Sequence, residues 1–226
     1  MSILAVLLLA GCLAGCMAHG DPEEARFDPT LWRSDSDWDR AMARSEAALA
    51  ADPASGVLRR SGRLELTLQD GRTLAVAEDR ACKTPPRDLW HDCLRKYAIW
   101  HFPRRGFWLL AVRLYAGEAY ALVDTRSGRE TRMIGPPHFA PDGRSLIAVN
   151  AAPKGGDTVS GIEVWSLAGP APELVFYRGA HLEEGFSFVD WAGDRIARLT
   201  VQTHERAPRE ATLYFANGRW QLSRPY

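Results

Sequence analysis

The chain has 226 residues and 46% apolar content, enough for one ordinary core or two small ones, and its 25% charge is globular rather than disordered. Lys and Arg equal Asp and Glu at 28 each, so the net charge is zero, which excludes an overall basic footprint for nucleic acid or a polybasic membrane patch. Fourteen prolines, nineteen glycines and eight tryptophans point to a turn-rich, aromatic-rich fold.

Ile3 to Ala10 are all apolar, but this run is too short to cross about 30 Å of hydrocarbon as a helix and fits a secretory h-region. Two tetrads follow back to back, Leu9-Ala10-Gly11-Cys12 and Leu13-Ala14-Gly15-Cys16. Each resembles the lipobox of bacterial envelope lipoproteins. The resemblance implies that the cysteine is acylated and becomes the new amino terminus. Cys16 is the expected lipidation site, with Cys12 the alternative. Cutting before Cys12 would leave a short signal, whereas cutting before Cys16 leaves an even pair, Cys82 and Cys93, suited to an oxidising compartment. Met1-Ser2-Ile3 departs from the pattern by lacking Lys or Arg, which leaves a start further upstream open. An ordinary or uncleaved signal is the plainer alternative. Acyl chains contributing about 0.8 kcal/mol per buried CH₂ would anchor the protein without its folded part touching lipid. No Asp follows Cys16, which by the same resemblance implies sorting to the outer membrane, facing the periplasm.

Residues 16–34 are polar and proline-bearing after the first few, and read as a tether. A helix is expected over 35–53. Ser36 caps it, Asp37 and Asp39 favour its first turn, and Asp52-Pro53 ends it. Trp38, Ala41, Met42, Ser45 and Leu49 share one face, expected to pack across an edge or opening of the main domain. A partner-binding helix is the alternative.

Over 54–226 the period changes to two, and the class is all-β. Strands are expected from Val57, at Arg63 to Leu68 and at Thr73 to Val76, then from Tyr97 to Phe102, Phe107 to Tyr115, Ala119 to Asp124 and Glu130 to Ile134. Further strands run over Leu146 to Asn150, Ile162 to Leu167, Glu173 to Tyr177, Phe186 to Trp191, Arg195 to Gln202, Ala211 to Ala216 and Trp220 to Ser223. Between the third and fourth, Cys82 and Cys93 flank a stretch containing Pro85-Pro86, which forbids a helix at its start. A disulfide is expected there, contributing about 2–3 kcal/mol. Two free thiols, or a metal held with His91 and Asp92, are the alternatives, although the spacing matches no common zinc pattern.

The second half repeats itself. His138 to Val149 leads into Gly161 to Gly169, and degenerate echoes run from Phe107 to Gly128 and from Phe188 to Phe215. Each unit is a turn, an apolar strand, a loop and a second apolar strand, at a spacing of about 35–50 residues that suits propeller blades. Phe139-Ala140-Pro141-Asp142-Gly143-Arg144 with Ile162-Glu163-Val164-Trp165 resembles a TolB-type, WD-like blade. The resemblance implies a propeller-like fold of about four blades, complete or incomplete in its closure. A β-sandwich is the competing architecture. In the turn, Pro141 presets φ, Asp142 caps with its side chain and Gly143 takes the left-handed position.

Signals for catalysis are weak. There is no Gly-x-Ser-x-Gly elbow, no His-Glu-x-x-His and no glycine-rich phosphate loop opening a helix. His91, His101, His138, His181 and His204 show no metal-ligand spacing. Glu183 and Glu184 beside His181 read as a solvated loop, and Asp190 as a structural turn residue. The tryptophans read as packing between blades rather than a sugar-binding surface. No catalytic residue, cofactor or metal is predicted. The sequence therefore points to a lipid-anchored envelope protein that binds or scaffolds an envelope protein partner, with no nucleic acid involved. A periplasmic hydrolase acting on glycans, and a purely structural lipoprotein or inhibitor, are the alternatives.

Overall fold

Among the described residues the period-two segments form fifteen strands and the 3.6-period segment one α-helix, followed by a 3-10 turn at Pro53–Ser55. The structure is a computed structural model whose described residues are 38–77, 95–114, 117–151, 160–179, 184–203 and 206–223. Sheet 1 holds β1 (Val57–Arg60), β2 (Arg63–Thr67) and β3 (Thr73–Ala75). Sheet 2 holds β4 (Arg95–Phe102), β5 (Phe107–Leu114), β6 (Gly117–Asp124) and β7 (Glu130–Met133). Sheet 3 holds β8 (Pro137–Phe139), β9 (Ser145–Asn150), β10 (Gly161–Ser166) and β11 (Glu173–Gly179). Sheet 4 holds β12 (Glu184–Gly193), β13 (Ile196–Thr203), β14 (Arg206–Ala216) and β15 (Arg219–Leu222). Every sheet is antiparallel and ordered as the chain runs, so each is one meander and none closes on itself.

The side-chain alternation decides how the meanders stack. On β5, Phe107, Leu109 and Ala111 join Phe139, Leu146 and Ala148 of sheet 3 in one apolar cluster. The intervening Trp108, Leu110 and Val112 join Val57, Leu64 and Leu66 of sheet 1 in another. On β9, Ile147 and Val149 turn the other way and meet Phe186, Leu199 and Leu213 of sheet 4. The order of stacking is therefore sheet 1, 2, 3, 4. Four sheets sharing three clusters make an all-β, propeller-like array of repeated meanders and leave no place for a two-sheet sandwich. Among the described residues no apolar cluster joins sheets 1 and 4.

The helix α1 (Trp38–Ala50) covers β4, the inner edge of sheet 2, and also touches β1. Trp38 and Met42 enter the cluster between sheets 2 and 3. The third buried position is Glu46 rather than the expected Ser45 or Leu49, which are half-buried. Glu46 is held there by polar partners. Its Oε2 accepts the Ala98 amide at 3.1 Å and Arg59 Nη2 at 2.9 Å, while Arg59 Nε donates to Oε1. Arg59 Nη2 also donates to the Lys96 carbonyl at 2.6 Å. One ion pair thus ties α1 to sheets 1 and 2. Two further expectations need correction. His138 lies in strand β8 rather than in the turn that opens its unit, and Asp190, read as a structural turn residue although inside the expected strand Phe186 to Trp191, lies within β12 and pairs with Arg198 of β13.

Candidate functional site

Successive strands of a meander reverse direction, so every second connection falls at the same end of the stack. The connections 68–72, 103–106, 125–129, 140–144, 167–172, 194–195 and 217–218 gather at one end, drawn from all four sheets. Several of them are hydrogen-bonded. Gln69 donates from its amide to the Thr125 carbonyl at 2.9 Å and from Nε2 to Thr125 Oγ1 at 2.9 Å. The Thr125 amide donates to the Gly106 carbonyl, and the Leu167 amide to the Arg144 carbonyl at 2.8 Å. The turns form a rim in which those of sheets 1 and 2 are tied across the junction and those of sheets 2 and 3 are tied within each sheet.

The Pro141-Asp142-Gly143 turn takes the geometry its sequence implies. The Gly143 amide closes on the Ala140 carbonyl at 2.8 Å, Asp142 Oδ1 accepts the Arg144 amide at 2.9 Å, and Gly143 has φ +67°. Asp70-Gly71-Arg72 repeats it in sheet 1: the Gly71 amide meets the Leu68 carbonyl, Asp70 Oδ1 accepts the Arg72 amide at 3.0 Å, and Gly71 has φ +83°. Gly143 also makes room for a neighbour. A Cβ there would lie 1.8 Å from Arg105 Nη1, and the Arg105 guanidinium sits 5.3 Å over the Phe139 ring. The Arg105 side chain thereby locks the turn of sheet 2 onto that of sheet 3.

Among the described residues a cleft opens along this rim between each pair of neighbouring sheets. The first, about 340 Å³, lies between sheets 1 and 2 and includes Gln69, His101, Trp108 and Thr125. His101 stacks on Trp108 with centroids 5.6 Å apart, and burial lowers its pKa against the opposing pull of Asp52. The second, about 230 Å³, lies between sheets 2 and 3 and includes Arg104, Arg105, Arg126, Asp124 and Asp142. The third, about 650 Å³ and open, lies between sheets 3 and 4 against Arg144, Asp194 and Arg195.

Asp124 Oδ1 accepts the Ser127 amide at 2.7 Å, the Ser127 hydroxyl at 2.9 Å and the Arg126 amide at 3.0 Å. Burial raises the Asp124 pKa, but these hydrogen bonds outweigh it and hold the carboxyl below its ordinary range. It therefore stays ionised and shapes its turn. Glu163, whose pKa is raised by burial, lies away from the rim, where Oε2 accepts the Ile134 amide at 3.2 Å and Trp165 Nε1 at 3.1 Å. Among the described residues, no group of three His, Cys, Asp or Glu could hold a metal ion.

The cysteines Cys12, Cys16, Cys82 and Cys93 lie outside the described residues, as do Trp90, His91, Asp92, His181, Glu183 and His204. Glu184 opens β12 and pairs with Arg178 at 3.4 Å. The described tryptophans of the β region pack as expected: Trp108 and Trp220 are buried, and Trp100, Trp165 and Trp191 pack against the apolar clusters. No helix among the described residues is long and apolar enough to cross a membrane.

Comparison with known proteins adds little. No family model matches the chain, and no curated protein does. A crystal structure of a candidate 6-phosphogluconolactonase from Bacteroides fragilis is similar to 75% of this chain, at 11% identity and a TM-score of 0.34. This chain spans 63% of that protein's length. A TM-score of this size does not define a shared fold.

Proposed function

We propose that this chain is a lipid-anchored binding module of the bacterial cell envelope and that the rim of turns is its recognition surface. The observation that carries the binding role is the gathering of turns from all four sheets at one end, tied by Gln69–Thr125 between sheets 1 and 2 and by Arg105 against Gly143 and Phe139 between sheets 2 and 3, with a cleft at each sheet junction. Preorganised loops on a rigid β scaffold suit recognition of a partner because little ordering remains to be done on binding. The anchor rests on the Leu-Ala-Gly-Cys tetrads, with Cys16 as the acylated residue. Trp38, the first described residue, opens α1 beside Arg113, which sits 5.2 Å from its ring near the end of β5, the end of the stack opposite the rim. On this reading the rim is the face offered to an envelope protein partner. The hydrolase reading needs a carboxylate pair with one member kept protonated. Asp124, held ionised, does not supply that acid.

Two experiments test the proposal. Labelled palmitate should enter the wild-type chain and the Cys12→Ala form but not Cys16→Ala; label retained in Cys16→Ala refutes the assigned anchor. Crosslinking in cells followed by mass spectrometry should yield one dominant partner that depends on Cys16. Absence of any partner, with turnover of envelope glycans instead, would reverse the choice between module and enzyme.

A further inference from the structure

The last strand of each meander is an open edge: β3 has three residues, β7 and β15 have four, and β11 has seven. Proteins blunt such edges by keeping them short or charged. β7 follows that rule with Glu130 and Arg132, and β15 with Arg219. β11 does not. It reads Glu173-Leu174-Val175-Phe176-Tyr177-Arg178-Gly179 and, among the described residues, pairs only with β10. Leu174, Val175 and Tyr177 are 44%, 44% and 53% exposed, half of the large apolar residues left exposed among the described residues.

The sequence of β11 is complementary to itself. Laid antiparallel against a second copy, Glu173 meets Arg178, Leu174 meets Tyr177, and Val175 meets Phe176 across the junction. Opposite charges and aliphatic–aromatic pairs are the favoured cross-strand partners. In a regular strand this register is forbidden, because residues an odd number apart point to opposite faces. The bulge in β11 removes the conflict. Pairing with β10 shifts between Val164 and Trp165, so that Phe176 opposes Val164, Leu174 opposes Trp165, and Val175 is the extra residue. Glu173 and Arg178 therefore share one face, opposite Ser166 and Ile162, while Leu174 and Tyr177 share the other, opposite Trp165 and Glu163.

We infer that β11 is a homodimerisation edge, pairing with β11 of a second copy so that two sheets 3 become one continuous eight-stranded sheet about a twofold axis. The pairing consumes the edge on both copies, so assembly stops at two. The test is the mass of the purified full-length chain by sedimentation equilibrium, with folding of each variant checked by circular dichroism. The wild-type chain should be a dimer. Leu174→Lys, at an exposed position, should raise the dimer dissociation constant about tenfold, since symmetry removes the Leu174–Tyr177 pair twice. The double variant Leu174→Lys with Tyr177→Glu should recover the dimer by supplying opposite charges across the junction. A monomeric wild-type chain overturns the inference, as does a dimer indifferent to both variants. A wild-type monomer whose β11 amides become protected only with a different protein would assign the edge to a foreign strand and overturn self-pairing.

Discussion

The two inner sheets and the two terminal sheets are built from the same meander but read differently in sequence. In sheet 2, β5 is buried from Phe107 to Val112 without a break, because alternate residues face sheets 1 and 3. In sheet 4, β13 buries Ala197, Leu199 and Val201 and presents Ile196, Arg198 and Gln202 to solvent. Sheet 1 likewise buries Leu64 and Leu66 of β2 and exposes Arg63 and Thr67. A sheet covered on both faces loses the two-residue alternation, and a sheet covered on one face keeps it. Polar outer faces on the terminal sheets make them caps of an open stack, the arrangement that repeat arrays use at their ends.

Substitutions sharpen this contrast. The largest effect is expected at Trp108→Ala. Its ring is buried between sheets 1 and 2 and its Nε1 donates to the Ser55 carbonyl at 2.7 Å, so the loss should be about 3–5 kcal/mol in chemical denaturation. Next comes a pH effect at the junction of sheets 3 and 4. His138 stacks on Phe188 at 4.0 Å, and burial lowers its pKa from 6.5 to about 4. The unfolded chain takes up this proton below pH 6.5 while the folded one resists until about pH 4. Stability is therefore full above pH 6.5 and should fall by about 3 kcal/mol between pH 6.5 and 4. His138→Phe should flatten that slope when unfolding is followed across the same range.

Glu46→Ala should cost about 2–3 kcal/mol by removing the carboxylate shared by Arg59 and the Ala98 amide, and should loosen α1 in hydrogen exchange before the sheets. Gly143→Ala should cost about 1–2 kcal/mol, from its φ of +67° and from the displaced Arg105 side chain, read as a lower thermal midpoint. Arg198→Ala, on the solvated face of sheet 4, should leave the denaturation midpoint unchanged although Arg198 pairs with Asp190.

The sequence carried most of the strands because each hairpin is marked locally, as at Asp70-Gly71 and Asp142-Gly143. It missed β8 because three residues opened by Pro137 are too few to show a period. It ended the strand of Phe186 at Trp191, two residues early, because a bulge between Trp191 and Gly193 carries β12 on to Gly193. Burial of Glu46 was hidden for a different reason. A charge on an apolar face reads as surface until its partner is known, and Arg59 reaches it only through the tertiary fold. The clefts of the rim share that property, since each is lined by turns of two successive sheets that meet only in the tertiary fold.

The claim that the rim is the recognition surface is tested most directly by photocrosslinking in cells from two positions, Arg144 on the rim and Thr200 in the terminal sheet β13. The account predicts that a photoreactive residue at 144 captures one partner, that the one at 200 captures none, and that the capture disappears in Cys16→Ala. Equal capture from both positions, or capture from 200 alone, would contradict it.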